Sequence, residues 1–178
     1  DFNGGTSTSS TTTKVTATFG KTVPNINFPV RAGYRFVAYK TTKNSGSSAY
    51  YTQSVSGFLT KRVYDIDSDI TLYAHWEVCY PKLSIVGKVG TTWKIKIENV
   101  SSAMVTFDYN SKMLFEKDAK VWNVNDYDKR SVSINTGASK IVDITENWFA
   151  TCIVVSMKLD NTRYITYAYQ LNTNGTLT

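Results

Sequence analysis

The sequence is poor in cysteine, histidine and proline, and each shortage excludes a class of protein. Its two cysteines, Cys79 and Cys152, match no metal-site spacing and no disulfide framework; they fit either one bridge or two thiols. The single histidine, His75, has no acid or nucleophile placed beside it by local sequence, so no catalytic triad is expected. Three prolines form no proline-rich linker. We therefore expect no catalytic residues and no metal or other cofactor.

Long apolar runs and clustered charges are also missing. No stretch approaches ~18 apolar residues, so we expect no membrane insertion. The net charge of +6 is spread evenly, since residues 1–78 carry eight Lys/Arg and five Asp/Glu, and residues 79–178 carry twelve and nine. Nucleic-acid surfaces concentrate their basic residues, so this spread predicts no nucleic-acid partner. Without an initiator Met or a signal peptide, the sequence is expected to be a piece of a longer protein.

Alternation of apolar and polar residues is what the sequence has instead. In the stretch 70–76 every second residue is apolar, so that Ile70, Leu72, Ala74 and Trp76 share one face. A period of two over seven residues predicts a half-buried β-strand. Further short alternating runs, separated by Gly-, Asn- and Asp-containing turns, predict an all-β chain.

Four sequence blocks in residues 1–78 follow one order: Asn3-Gly4-Gly5, then 19–24 (FGKTVP), 29–36 (PVRAGYRF) and 69–77 (DITLYAHWE). Their order and spacing resemble the Listeria–Bacteroides repeat, also called the internalin B-type repeat. The resemblance implies a small β-grasp-like module, found in tandem in secreted and wall-attached bacterial proteins as a spacer or adhesion module without catalytic residues. The chain departs from the family at Ala38-Tyr39, where Gly-Trp is usual, and in lacking the leading residues of the first strand.

Local patterns predict several features of this module. The run 14–19 alternates and is expected to be a strand with Val15, Ala17 and Phe19 on one face. Gly33 is expected to hold a backbone angle that other residues resist. Large aromatics are expected to supply much of the small core: Tyr34, Phe36, Tyr73 and Trp76.

Residues 79–178 predict a second module, an immunoglobulin-like antiparallel β-sandwich of eight or nine short strands. The run 92–98 is the clearest strand, with Trp93, Ile95 and Ile97 facing inward. The run 151–159 places alternate apolar residues on one face. The Cys–Trp–Cys pattern of true immunoglobulin domains is absent, so only the architecture is expected, and no family is recognised for this half.

The sequence also predicts the kind of connection between several strands of the second module. Residues 87–90 are expected to be a turn, and Thr136–Ser139 has the length of a β-hairpin connection. Residues 145–148 fit one capped helical turn. Residues 113–122 fit either two short strands or a helical turn.

Acidic residues give little sign of a site. Asp65, Asp67 and Asp69 are spaced like the opening of a calcium loop, but the following Gly and the bidentate Glu are missing, so a solvated acidic turn is expected. Asp143 is the only acid in a run apolar enough to raise a carboxyl pKa.

Three aromatic residues beside polar loops are the candidate ligand-binding residues: Trp122, Tyr127 and Trp148. Exposed aromatic rings at such positions could stack on sugars, or the three could anchor and cover the ends of the sandwich. Packing is the interpretation that their residue types favour.

Together these patterns predict a non-catalytic, extracellular segment of a bacterial cell-surface or secreted protein, acting as a spacer or adhesion module. The alternative is a carbohydrate- or cell-wall-polymer-binding module, accessory to a secreted hydrolase in one version. The expected location is the bacterial cell surface or cell wall. The expected partner is a protein or glycan on a host or bacterial surface, and the chain is expected to be a monomer.

Overall fold

The structure is a computed structural model that describes residues 1–7, 14–44, 46–115, 124 and 128–178. These residues form eleven β-strands in three antiparallel sheets, and none of them lies in a helix. The predicted all-β class is confirmed. No helix of the described part is long and apolar enough to cross a bilayer. The chain divides into two compact units, Asp1–Val78 and Cys79–Thr178.

The first unit contains one four-stranded sheet in the order β3-β2-β1-β4. The strands are β1 (Tyr34–Lys40), β2 (Ala49–Gln53), β3 (Leu59–Lys61) and β4 (Tyr73–Val78). The predicted strand at 70–76 therefore begins three residues later than its alternation suggested. Its predicted apolar face is confirmed, because Ile70, Leu72, Ala74 and Trp76 all pack into the core of this unit.

Aromatic rings fill this core, but two of them differ from the predicted set. Phe36 is fully buried, its ring stacks on Phe28, and its edge meets Trp76. Tyr34 and Tyr73 are only half-buried, and they lie beneath the cationic ends of Arg31 and Lys43. Buried tyrosines from the two central strands pack here instead: Tyr39, Tyr50 and Tyr51.

The predicted strand at 14–19 is wrong. These residues form no strand, and Val15 and Phe19 are exposed. Alternation alone does not make a strand when no partner strand supplies hydrogen bonds. Among the described residues, the first bridge that follows this run joins Thr22 to Val63.

The prediction for Gly33 is confirmed. Gly33 has φ of +75°, a conformation that side chains with a Cβ resist. Asn3 and Gly4 also have positive φ and form a turn that the Gly5 N–H closes on the Phe2 carbonyl at 3.0 Å. The turn packs on the closing strand, where the Trp76 indole Nε1 donates to the Phe2 carbonyl at 3.1 Å.

The second unit is a β-sandwich of seven strands among its described residues, fewer than the eight or nine predicted. One sheet has the order β5-β6-β9 and the other β11-β10-β7-β8. The strands are β5 (Lys82–Val89), β6 (Thr92–Glu98), β7 (Val105–Asn110), β8 (Lys129–Ile134), β9 (Ser139–Thr145), β10 (Cys152–Lys158) and β11 (Tyr164–Gln170). If the seven strands of this unit are numbered from 1 to 7 along the chain, the two sheets have the orders 1-2-5 and 7-6-3-4. An immunoglobulin constant domain pairs strands A, B, E and D against C, F and G, so here the fourth strand has moved to the second sheet.

Two predicted connections in the sandwich are wrong. Residues 87–90 are not one turn, because β5 continues through Gly87 at a bulge and the chain turns at Gly90. The connection Thr136–Ser139 is not a hairpin, because β8 pairs with β7 while β9 pairs with β6. A four-residue link can join two strands of one sheet or cross from one sheet to the other, and length alone does not distinguish them.

The central strand β10 is buried on both faces, whereas the sequence predicted one. Of the four residues predicted to share the inner face, Ile153, Val155 and Met157 are buried, whereas Leu159 lies beyond the end of the strand and is half-buried. On the opposite face Cys152 and Val154 are also buried, beneath Leu114, Val124 and Ala168. Both cysteines are buried thiols: Cys79 donates to the Val100 carbonyl and Cys152 to the Gln170 side chain.

Candidate functional site

Of the three predicted ligand-binding residues, one can be placed. Trp122 and Tyr127 lie outside the described residues. Trp148 is 88% exposed, and its neighbour Phe149, which the sequence interpretation missed, is 90% exposed. Trp148 is thus neither a core anchor nor a lid over the sandwich. The signal for Phe149 was present in the sequence, since it follows Trp148 within the same polar connection.

These two side chains project from a tight turn between β9 and β10, Asn147–Ala150, which we call the aromatic turn. The Ala150 N–H donates to the Asn147 carbonyl at 2.8 Å. Trp148 has φ of +52°, an uncommon angle for a bulky residue. The predicted helical turn at 145–148 is therefore wrong. Thr145 still belongs to β9, and the bridge from Asn147 to Ala150 reverses the chain before a helical turn can form.

Backbone hydrogen bonds hold the base of the aromatic turn on both sides. The Thr145 N–H donates to the Ser111 carbonyl at 2.9 Å, and the Glu146 N–H donates to the Thr91 carbonyl at 2.8 Å. After the turn, Leu114 and Cys152 exchange two bonds of 2.8 and 3.0 Å. The turn therefore presents its aromatic side chains from a well-anchored base.

Charge at this base is paired. The Glu146 carboxylate accepts a hydrogen bond from Trp93 Nε1 at 2.9 Å and forms an ion pair with Lys88. The Lys88 ammonium also lies 4.8 Å from the centre of the Trp93 ring, within the range of a cation–π contact. The hydrogen bond from Lys88, followed by that from Trp93, lowers the pKa of Glu146 below its ordinary value.

This pKa shift predicts a pH dependence. A carboxyl group whose pKa is lower in the folded protein contributes stability above its unfolded pKa and loses it as pH falls through the folded pKa. We expect Glu146→Gln to be less stable than the wild type at pH 7, and the difference to disappear as pH falls through the lowered pKa of Glu146. Urea unfolding across this range measures the difference. The NMR resonance of the Trp93 Nε1–H should titrate with Glu146 below its ordinary pKa, and a resonance that does not move would contradict the assignment.

Other exposed apolar residues lie at the same end of the sandwich. Val89 pairs with Thr92, and Thr92 pairs with Thr145, so the β5–β6 turn adjoins the base of the aromatic turn. Phe115 directly follows Leu114, which bridges to Cys152. Val89 and Phe115 are both exposed. Exposed apolar residues therefore occur in three chain segments at this end of the unit.

Three of the residues considered for chemistry, His75, Asp65 and Asp143, make structural contacts. The His75 ring nitrogen Nε2 lies 2.8 Å from the Thr42 carbonyl. The Asp65 carboxylate accepts the buried Tyr50 hydroxyl at 2.5 Å and pairs with Arg62, so it is more than a solvated turn residue. Asp143 is exposed and paired with Lys94 at 2.7 Å, so the apolar setting suggested for it is wrong.

Tyr50 and Arg62 also affect ionisation in the first unit. The hydrogen bond from Tyr50 lowers the pKa of Asp65, and Arg62 adds to the effect. Burial raises the pKa of the Tyr50 hydroxyl. Within the described residues, no group of three or more His, Cys, Asp or Glu side chains is placed to hold a metal ion.

The first unit also has an exposed apolar turn, which serves as the control for substitutions in the aromatic turn. It joins β2 to β3 and carries Val55 and Phe58, which are 84% and 72% exposed. The Gly57 N–H closes it on the Ser54 carbonyl at 3.0 Å.

Comparisons with protein-family models, with curated proteins and with solved structures found no match to this chain. Function is therefore argued from the geometry of the chain's own residues.

Proposed function

We propose that this chain is a non-catalytic, extracellular segment of a bacterial cell-surface or secreted protein that acts as a spacer and adhesion module. The aromatic turn is the observation that supports adhesion. Trp and Phe are residue types that contribute strongly to binding when a partner buries them, and here both side chains are almost fully accessible. The anchored base lowers the entropy cost of binding, because the turn is already ordered.

The spacer role rests on the tandem of compact β-units and on the resemblance of the first to the Listeria–Bacteroides repeat. A spacer requires folded units in series and no chemistry of its own. Three of the titratable side chains that the sequence singled out, His75, Asp65 and Asp143, are engaged in hydrogen bonds or ion pairs. Hydrolysis of a polysaccharide or peptide by the purified chain, abolished by one carboxylate substitution, would contradict the proposal.

Adhesion is tested with the purified chain on fluorescent beads, incubated with bacterial cells and with cultured animal cells. We expect beads to bind one of these surfaces, and the double variant Trp148→Ser/Phe149→Ser to reduce the bound fraction at least tenfold. Both side chains are exposed, so the variant should fold normally, which circular dichroism checks. The matched control is Val55→Ser/Phe58→Ser, which removes as exposed an apolar pair from the other unit. Equal loss in both variants would indicate nonspecific stickiness and contradict a site at the aromatic turn.

The alternative function, a carbohydrate- or wall-polymer-binding module, is favoured by the same turn. An indole ring that is 88% exposed offers its faces for stacking, whereas a ring that closes the end of a sandwich would be covered.

A further inference from the structure

The aromatic turn combines two features that oppose folding. Trp148 adopts a left-handed backbone angle that is unfavourable for residues with a Cβ. Trp148 and Phe149 also leave two large apolar side chains in water, although burial of each would be favourable. Strain and exposure at one place are typical of a functional site, where the structure holds a residue ready for a ligand.

The charges around the turn indicate what kind of ligand it fits. The register places three described lysines at this end of the sandwich, and each is paired with an acid: Lys88 with Glu146, Lys112 with Asp128 and Lys129 with Asp108. A polyanion binds chiefly through basic groups that neutralise its charges and release its condensed counterions. These lysines would have to break their ion pairs first, so the described charges favour an uncharged ligand.

The shape of the site excludes a small ligand. Small molecules bind in concave sites that bury most of their surface. The aromatic turn is a convex projection, and an exposed fraction near nine-tenths leaves both faces of each ring open. Such a projection can lie along an extended chain, but it cannot enclose a single small molecule.

We infer that the aromatic turn binds an uncharged polysaccharide. Trp148 stacks on the apolar C–H face of a pyranose ring, and Phe149 contacts an adjoining part of the chain. Two polar side chains are available for the sugar hydroxyls. One is the amide of Asn147, which precedes Trp148 in the turn, and the other is the hydroxyl of Thr91, an exposed residue. The backbone carbonyl of Thr91 accepts the Glu146 N–H, which places this residue beside the turn. This inference rests on the proposed function, because it names the ligand of the same turn.

Affinity electrophoresis tests the inference with defined probes. Native gels contain one neutral polysaccharide each, namely hydroxyethylcellulose, laminarin, mannan or galactan, or one polyanion, polygalacturonate or lipoteichoic acid. We expect at least one neutral polysaccharide to retard the chain, with an affinity that changes less than twofold between 50 and 500 mM salt. Trp148→Ala should weaken retardation at least tenfold and Trp148→Phe only a few-fold, because phenylalanine retains a smaller stacking face.

Control variants show whether the retardation depends on the aromatic turn. Val55→Ser/Phe58→Ser should bind like the wild type. Phe149→Ala should weaken binding by less than Trp148→Ala. Retardation by polyanions alone, retardation that is lost in high salt, or neutral-glycan binding that Trp148→Ala leaves intact would each overturn the inference. Dimerisation in sedimentation that disappears in Trp148→Ala would also overturn it, because the occupant of the turn would then be a second copy of the chain.

The two proposals fail in different ways. Beads that bind cells through Trp148 when no neutral polysaccharide retards the chain would overturn the glycan inference and leave adhesion standing, with a protein as the partner. Loss of both activities would overturn both. Neutral-glycan binding that depends on Trp148, together with cell binding that soluble glycan competes away, is the result expected if both are correct.

Discussion

Replacing Asn99 by alanine should lower the free energy of unfolding of the second unit by about 3 kcal/mol, a large share of the stability of a domain of this size. Asn99 is 2% exposed and lies in the connection that leaves β6. Its amide nitrogen donates to the carbonyls of Ala103 and Ile134 at 2.7 and 2.8 Å. Its amide oxygen accepts from the Ser101 N–H and the Ser101 hydroxyl at 3.0 and 2.7 Å.

The size of this loss follows from the buried polar groups that Asn99→Ala leaves without a partner. Each buried donor or acceptor that loses its partner costs about 1–3 kcal/mol, and the Ser101 N–H and Ile134 carbonyl lose the bonds that Asn99 supplies. The Asn99 backbone also holds the link between β8 and β9, since its N–H donates to the Ala138 carbonyl and its own carbonyl accepts from Gly137. Asn99 therefore joins, through its backbone and its side chain together, two connections that cross between the sheets.

Urea unfolding of Asn99→Ala and Asn99→Asp separates hydrogen bonding from packing. Aspartate keeps the volume of the side chain but cannot donate to two carbonyls, so we expect it to be at least as destabilising as alanine. Asn174→Ala is the control, because Asn174 also accepts two bonds, from the Thr176 N–H and hydroxyl, but is exposed. Its cost should stay below ~1 kcal/mol. A mild Asn99→Asp combined with a severe Asn99→Ala would show that the cavity, not the hydrogen bonds, sets the loss.

Asn99 also illustrates where sequence reasoning was limited. The strand 92–98 was predicted with its bounds and its inner face, because a period of two is visible within one strand and requires no partner. The role of Asn99 depends on Ile134, 35 residues away, and on a link that crosses between sheets. Nothing in the local sequence distinguishes that link from a hairpin, so the pairing of β8 with β7 could not be predicted.

The candidate site shows the same limit, because a local signal identified Trp148 but could not predict its exposure. Trp148 is a candidate because an aromatic ring beside a polar loop could stack on a sugar, and that signal is local. Whether it was a buried anchor or an exposed ring depended on the turn that carries it. The sequence favoured a helical turn, whereas the end of β9 and the bridge from Asn147 to Ala150 produce a tight reversal. Exposure follows from that reversal, because the two residues at its tip point away from both strands.

Replacing Gly5 by alanine should destabilise the first unit by about 3 kcal/mol, although it adds one methyl group. A Cβ at this position would lie 2.3 Å from Cζ2 and 2.9 Å from Cη2 of Trp76, and 3.1 Å from the Val30 carbonyl oxygen. Real Cβ atoms do not approach other heavy atoms this closely, so either the indole or the N-terminal turn must move. Overpacking of this kind typically costs 1–3 kcal/mol, and we expect the upper part of this range because the indole also holds the turn through its bond to the Phe2 carbonyl.

Urea unfolding measures the loss, and the NMR resonance of the Trp76 Nε1–H reports whether its bond to Phe2 survives. Gly87→Ala is the control, because a Cβ there meets nothing within 4 Å and its φ is not positive. We expect it to change stability by less than ~0.5 kcal/mol. The double variant Gly5→Ala/Trp76→Phe gives the sharpest test, since phenylalanine lacks both indole atoms in the clash. If the steric argument is correct, the double variant should be more stable than the sum of the two single losses by about 1–3 kcal/mol. Additive losses would show that Gly5 is needed for its backbone and not for the space that it leaves to Trp76.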